Sequence, residues 1–158
     1  DSYKGLVIAI NKWDLSKNTP STRQEAQREI NRRVHWAPYV QTRFISALTG
    51  QGVEGLLETS LSVYQELGKE IKSGDLNHVL LEATAKHPPP SQGHRPMRIY
   101  RGSQTGTYPP TFTIHVNNPS LMHFSYHRYL QNTIRSAFGF RQSLPRLYFK
   151  KGSRGSKR

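Results

Sequence analysis

The 158-residue chain contains no cysteine, which excludes disulfides and thiolate chemistry and fits a reducing, cytoplasmic setting. No apolar run approaches the ~20 residues that a bilayer-spanning helix needs, and the N-terminus has no signal-peptide pattern, so no membrane partner is expected. From Ala83 to Arg158 there is not one Asp or Glu. Paired-carboxylate acid–base work and oxygen-ligand metal sites are therefore excluded from that stretch. The phosphate-cradling pattern G-x-x-x-x-G-K-[ST] is also missing: Gly68-Lys69 is followed by Glu70 and lacks the upstream glycine. Nor is there a D-x-x-G triplet. Without these, the chain has nothing to cradle a nucleotide's phosphates, hold Mg²⁺ or orient an attacking water.

The charge that remains is uneven. Residues 1–73 carry 10 Lys and Arg against 8 Asp and Glu, net +2, whereas residues 74–158 carry 13 against 2, net +11 of the total +13. A surface of one sign over half a chain points to a polyanion partner.

The most specific local signal is Val7-Ile8-Ala9-Ile10-Asn11-Lys12-Trp13-Asp14. A short β-branched strand runs directly into Asn-Lys-x-Asp. An ionised Asp14 accepts hydrogen bonds from the N1–H and N2–H₂ donors of guanine, whereas adenine would leave the carboxylate unpaired, a strong form of rejection. The Lys12 stem can lie along the base with its ammonium in water, and Asn11 can brace the loop and reach the N7/O6 edge. Trp13 is in the same loop but has no assignable base contact. This spacing resembles the fourth signature motif of the translation-factor and Ras-like GTPases. Their fifth motif, Ser-Ala after another strand, is matched by Ser46-Ala47 after Val40–Ile45. In such GTPases the amide at the Ala47 position bonds guanine O6 and the Ser46 position braces the loop. Between the two motifs Ser21-Thr22-Arg23-Gln24-Glu25 offers an N-cap with acidic support and a helix follows to about Arg33, which makes the order a βαβ unit with both motifs at the carboxyl ends of parallel strands. The guanine-binding candidates are Asn11, Lys12, Trp13, Asp14, Ser46 and Ala47.

Apolar positions predict one helix from Val53 to Lys72, broken at Gly74, and a second, capped by Ser73 or Asp75, to Lys86. Pro88-Pro89-Pro90 stops it. Strands are predicted at Met97–Ser103 and Thr111–Val116, a long helix from Asn118-Pro119-Ser120 to Phe138, and a strand at Arg146–Lys150. Residues 74–150 thus read α-β-β-α-β, with 151–158 a basic, disordered tail. On the long helix Met122, Tyr126, Leu130, Ile134, Ala137 and Phe138 form the expected buried stripe. His123, His127, Gln131 and Arg135 fall beside it at i, i+4, i+8 and i+12. With Arg128 they are the RNA-facing candidates, since cations and amides suit phosphate and sugar contacts. His123 and His127 have the helical spacing of a zinc pair, but no Cys or carboxylate follows to complete a site, so no metal is expected.

These motifs, with Ser73-Gly74-Asp75-Leu76-Asn77, His87-Pro88-Pro89-Pro90, Val116-Asn117-Asn118-Pro119 and His123–Leu130, resemble the C-terminal end of the bacterial Der (EngA) GTPase family over essentially the whole chain. That family has tandem GTPase domains and a KH-like domain, and acts in assembly of the large (50S) ribosomal subunit. The resemblance implies that residues 1–73 end a P-loop GTPase domain of α/β class, contributing its last two parallel strands. It implies an α+β KH-like domain over 74–150. It further implies a GTP/GDP cofactor with Mg²⁺ held by residues absent here, and rRNA and the preceding GTPase domains as partners. The chain is expected to be a C-terminal fragment, inactive by itself, with 1–73 marginal alone. A G-x-x-G loop clamps RNA in typical KH domains. Here Gly102 and Gly106 are spaced G-x-x-x-G in what reads as a loop, so shape and charge recognition is favoured over sequence readout. Two other readings use the same residues: a free-standing RNA-binding module, or a protein-interaction adaptor with no nucleotide role.

Overall fold

In the computed structural model, residues 3–16, 19–92 and 95–152 are described. The chain divides into two compact units, Gly5–Glu66 and, with the first four residues, Leu67 onward.

The first unit is a βαβα array. Strand β1 (Val7–Ile10) pairs in parallel with β2 (Gln41–Phe44), Val7 opposite Gln41 and Ile10 opposite Phe44. Helix α1 (Pro20–Arg33) makes the crossover. Its N-cap is Thr19, whose hydroxyl accepts from the Thr22 amide at 3.3 Å, and Pro20 occupies the first helical position, where its missing N–H costs nothing. The sequence pattern places the cap at Ser21 or beyond, at least two residues late. No residue of α1 is buried. Helix α2 (Val53–Leu67) buries Thr59 and Val63 but leaves Leu57, Leu61 and Tyr64 exposed.

Sequence periodicity extends α2 to Lys72. The helix instead stops at Leu67, because the following backbone groups have other partners. The Leu67 carbonyl accepts from the Tyr108 amide at 3.1 Å. Gln104 takes two more, its amide donating to the Lys69 carbonyl at 2.8 Å and its oxygen accepting from the Ile71 N–H at 2.6 Å. A Cβ at Gly68 would run into the Tyr108 hydroxyl, so a larger residue there would push the Tyr108 ring aside. Ile71, expected to be helical, packs instead against the core of the second unit.

The second unit reads α-β-β-α-β with one short hairpin added. Helix α3 spans Ser73–Lys86 and contains Gly74, which was expected to lie before it. Strands β3 (Ser91–Gln92) and β4 (Arg95–Pro96) form the added antiparallel pair, too short to leave a periodicity signal. Strands β5 (Ile99–Gly106) and β6 (Thr111–Val116) are antiparallel, helix α4 spans Phe124–Ala137, and β7 (Arg146–Lys151) returns parallel to β6. Asn118 and Pro119 begin a single 3-10 turn before α4 rather than the helix itself, which starts at Phe124. The sheet order is β5-β6-β7.

Helix α3 packs on β5 and α4, and the core cluster joins Leu76, Leu80, Leu130 and Ile134 to Phe112, Ile114, Val116 and Leu147. Gly102 and Gly106 both lie within β5 and not in a loop. Gly102 sits beneath α3, where an added Cβ would come within 2.7 Å of Leu80 Cδ1, so it is a helix–sheet packing glycine. Its N–H and C=O face away from β6 and pair with the Asn77 side chain at 2.8 and 3.0 Å. The tail expected to be disordered lies, from residue 153, outside the described residues.

Candidate functional site

The carboxyl ends of β1 and β2 open into a cleft of about 260 Å³ lined by Asn11, Lys12, Asp14, Leu15, Ala47 and Leu48. The strands bring it about directly. Past the ladder, the Ile45 amide donates to the Ile10 carbonyl at 2.8 Å and the Trp13 amide to the Ile45 carbonyl at 3.0 Å, locking the two loops together. Asn11 then ties them again: its Oδ1 accepts from the Lys12 amide at 2.7 Å and the Ala47 amide at 3.0 Å. Lys12 is held in the left-handed region at φ 61°, which costs a non-glycine residue ~1–2 kcal/mol. The Asn11 bond to the Lys12 amide offsets part of that strain.

Asp14 is exposed at the cleft and, among the described residues, has no hydrogen-bond partner. Its two carboxylate oxygens are available to a donor pair on an incoming base. Ser46 is fully buried, its Oγ accepting from the Thr49 amide at 3.2 Å, and its backbone exchanges bonds with Gln51 and Gly50. It shapes the loop from beneath and does not line the cleft. Trp13, expected among the guanine-binding residues, is buried with its ring 4.4 Å from the Phe44 ring and is not among the residues that line the cleft.

Four further residues belong to this site and were passed over in the sequence. Gly50 and Gly52 have φ of +79° and +74°, and a Cβ on Gly52 would lie 2.5 Å from the Phe44 carbonyl oxygen. They let the loop after Ala47 double back to start α2, and the G-x-G spacing after the strand was the available signal. Leu15 and Leu48, both mostly exposed, give the cleft two apolar walls that could sandwich a planar base. Only their position beside the motifs could have pointed to them.

In the second unit the histidine–glutamine–arginine row of α4 is not a solvent-facing stripe. Gln131 is buried and donates to the Pro145 carbonyl at 2.7 Å. The His127 ring stands edge-on to Phe149 at 5.5 Å, and Arg135 donates to the Arg141 carbonyl at 3.0 Å. The row was misjudged because α4 packs against β7 and the loop before it as well as against α3, so its covered arc is wider than one stripe. At the other margin Ala137, expected to be buried, is exposed. His123, in the N-cap position, and Arg128 are the exposed members of the set. Tyr126 donates to the His87 carbonyl at 3.0 Å, and burial, with the nearby Tyr129, pushes its hydroxyl up to about 12. Among the described residues no group of three or more His, Asp or Glu could hold a metal ion, and no helix is long and apolar enough to cross a membrane.

Matches to known proteins span most of the chain. Residues 70–150 match the family described as the KH-domain-like C-terminal domain of EngA bacterial GTPase enzymes. The GTPase Der of Caldanaerobacter subterraneus subsp. tengcongensis is 47% identical over 140 residues, covering 89% of this chain and 32% of that protein. The GTPase Der of Desulforamulus reducens is 41% identical over 148 residues, with coverages of 94% and 34%. That of Thermomicrobium roseum is 38% identical over 158 residues, with 99% and 34%. The chain spans about a third of the length of the relatives it matches. With strand-end motifs in one unit and an α-β-β-α-β domain in the other, the chain belongs to the EngA (Der) family of bacterial GTPases.

Proposed function

We propose that this chain supplies the guanine-reading end of a GTPase domain joined to a basic KH-like domain that contacts ribosomal RNA of the large subunit in the cytoplasm. The observation that carries the first part is the cleft that Asp14 lines together with the Ala47 loop, where Asn11 ties the Lys12 amide to the Ala47 amide. In this reading Asp14 takes the N1–H and N2–H₂ edge. The Ala47 amide shifts or shares its bond from Asn11 to guanine O6, and Leu15 and Leu48 cover the base faces. Binding then buries Asp14, which is what makes an adenine base costly. Phosphates, Mg²⁺ and the attacking water fall to residues of the longer protein, so residues 1–158 alone should not hydrolyse GTP. The domain boundary in this reading lies between Leu67 and Ser73, where the compact units divide and the family match begins.

The test is Asp14→Asn in the longer protein. An amide presents a donor where xanthine has an oxo group, so preference should move from guanosine to xanthosine nucleotides. GTP affinity should fall on the order of a hundredfold, as expected when hydrogen-bond partners in a site are left unpaired. Retention of full GTP preference would overturn the assignment.

A further inference from the structure

The helices of the second unit cover one face of the β5-β6-β7 sheet, and the alternate side chains point away from them. Register fixes which of these stand side by side. Arg101 on β5 is opposite His115 on β6, and His115 is opposite Lys150 on β7; the next row is Ser103, Thr113 and Tyr148. Strands lie ~4.8 Å apart, so the first row sets three nitrogen-bearing side chains across roughly 10 Å. Arg101 and Lys150 are exposed, His115 is half-buried and Tyr148 is 47% exposed. Among the described residues none of Arg101, His115 and Lys150 has an ion-pair partner. The two carboxylates after residue 74, Asp75 and Glu82, both ride on α3, on the other side of the sheet. Arg146, at the far end of this face, lies against the Tyr3 ring and is left out of the site.

We infer that this helix-free sheet face, through Arg101, His115, Lys150 and Tyr148, holds an unpaired stretch of RNA. The row of nitrogens sits on its phosphates and the Tyr148 ring stacks on one base. This rests on the reading of the second unit as an RNA-contacting domain and gives that reading a surface. The chemistry favours RNA over an acidic protein patch because an aromatic ring stands directly beside the cation row. Cation grooves with an interleaved stacking platform are how single strands are gripped without sequence readout. The α4 row expected from sequence lacks this pairing, since Gln131 is buried and Arg135 binds a carbonyl of its own chain.

The experiment is fluorescence anisotropy of a labelled oligouridine with the full chain, titrated at several salt concentrations. Arg101→Gln with Lys150→Gln should weaken binding about tenfold or more and lower the salt slope by about 1.4, roughly 0.7 for each single-strand phosphate that is no longer neutralised. Tyr148→Leu should weaken it by about fivefold or more with the slope unchanged, because stacking releases no counterion. Arg128→Gln, on α4, should change little. All four side chains are outside the core, and unchanged far-UV circular dichroism checks the fold of each variant. Should Tyr148→Leu misfold, Tyr148→Phe, which keeps the ring, should bind as the wild type does. If the wild type binds oligouridine and Arg128→Gln is the damaging variant, the sheet-face inference falls while the RNA reading stands. If the wild type binds polyglutamate but no RNA, both fall and the adaptor reading takes their place.

Discussion

The two units are built to different standards of burial. From Leu67 onward, twelve residues form one core cluster, six of them with no exposed surface. In Gly5–Glu66 the buried apolar residues are Trp13, Ala37, Phe44, Ile45 and Val63, each retaining some exposure, while Leu57, Leu61 and Tyr64 on α2 remain more than half exposed. Parallel strands are normally covered on both faces, yet no residue of β1 is fully buried. The lesson is that a cleft at strand ends does not need a deep core beneath it. Its geometry comes from strand-end hydrogen bonds, a capping asparagine and two glycines. The second unit also ties a loop with an asparagine, Asn117, whose Oδ1 accepts from the Arg98 and Asn118 amides, but it gains most of its rigidity from packing.

The largest expected break in this comparison comes from truncating one core isoleucine in each unit. Ile134→Ala should cost ~2–5 kcal/mol, the usual range for a fully buried site, and Ile45→Ala less than half as much. Amide hydrogen exchange with urea melts would read both, and equal losses would mean the first unit is as well packed as the second. The next effect is local to α3 and β5. Gly102→Ala pushes a methyl against Leu80 and Leu76 and should cost ~1–3 kcal/mol by overpacking. Asn77→Ala orphans the Gly102 N–H and C=O and should cost ~1–3 kcal/mol. A thermal midpoint unmoved by either would show that α3 is not clamped as described.

The smallest effect separates the units by pH. Hydrogen bonds from Arg32 and then Arg33 hold the Glu29 carboxyl at about 2, below its ordinary 4.5. Its contribution is present above 4.5 and lost as pH falls towards 2. Tyr126 is raised from 10 to about 12, so its contribution is complete below 10 and lost as pH rises towards 12. Glu29 is on a solvent-exposed pair, so its effect should be slight and vanish in high salt. Comparing wild type with Glu29→Gln at pH 3–5, and with Tyr126→Phe above pH 10, should reveal acid sensitivity in the first unit and alkaline sensitivity in the second.

Where the structure followed the sequence, the cause was local. Asn-Lys-x-Asp and Ser-Ala lie at strand ends because a short β-branched run and a turn former are adjacent in the chain, and the α-β-β-α-β order follows from alternating apolar periods. Where it departed, a distant residue decided. Gln104 and Tyr108 ended α2 five residues early by taking backbone partners 35 and 41 positions away. Phe149 and Pro145 turned His127 and Gln131 inward. Trp13 was ambiguous because nothing nearby in sequence reveals the Phe44 ring it lies on. The cation row of the sheet face was invisible for a similar reason: its members are 14 and 35 residues apart and meet only through register.

The Asn77 side chain has one more consequence. Strand β5 is an edge, and an edge offers unpaired amides and carbonyls to any passing chain. With its carboxamide on both groups of Gly102, Asn77 occupies the position a neighbouring strand would take, so growth of the sheet is blocked midway along β5. Removing that side chain would do more than loosen a helix: it would open a template on which copies of the protein could join edge to edge.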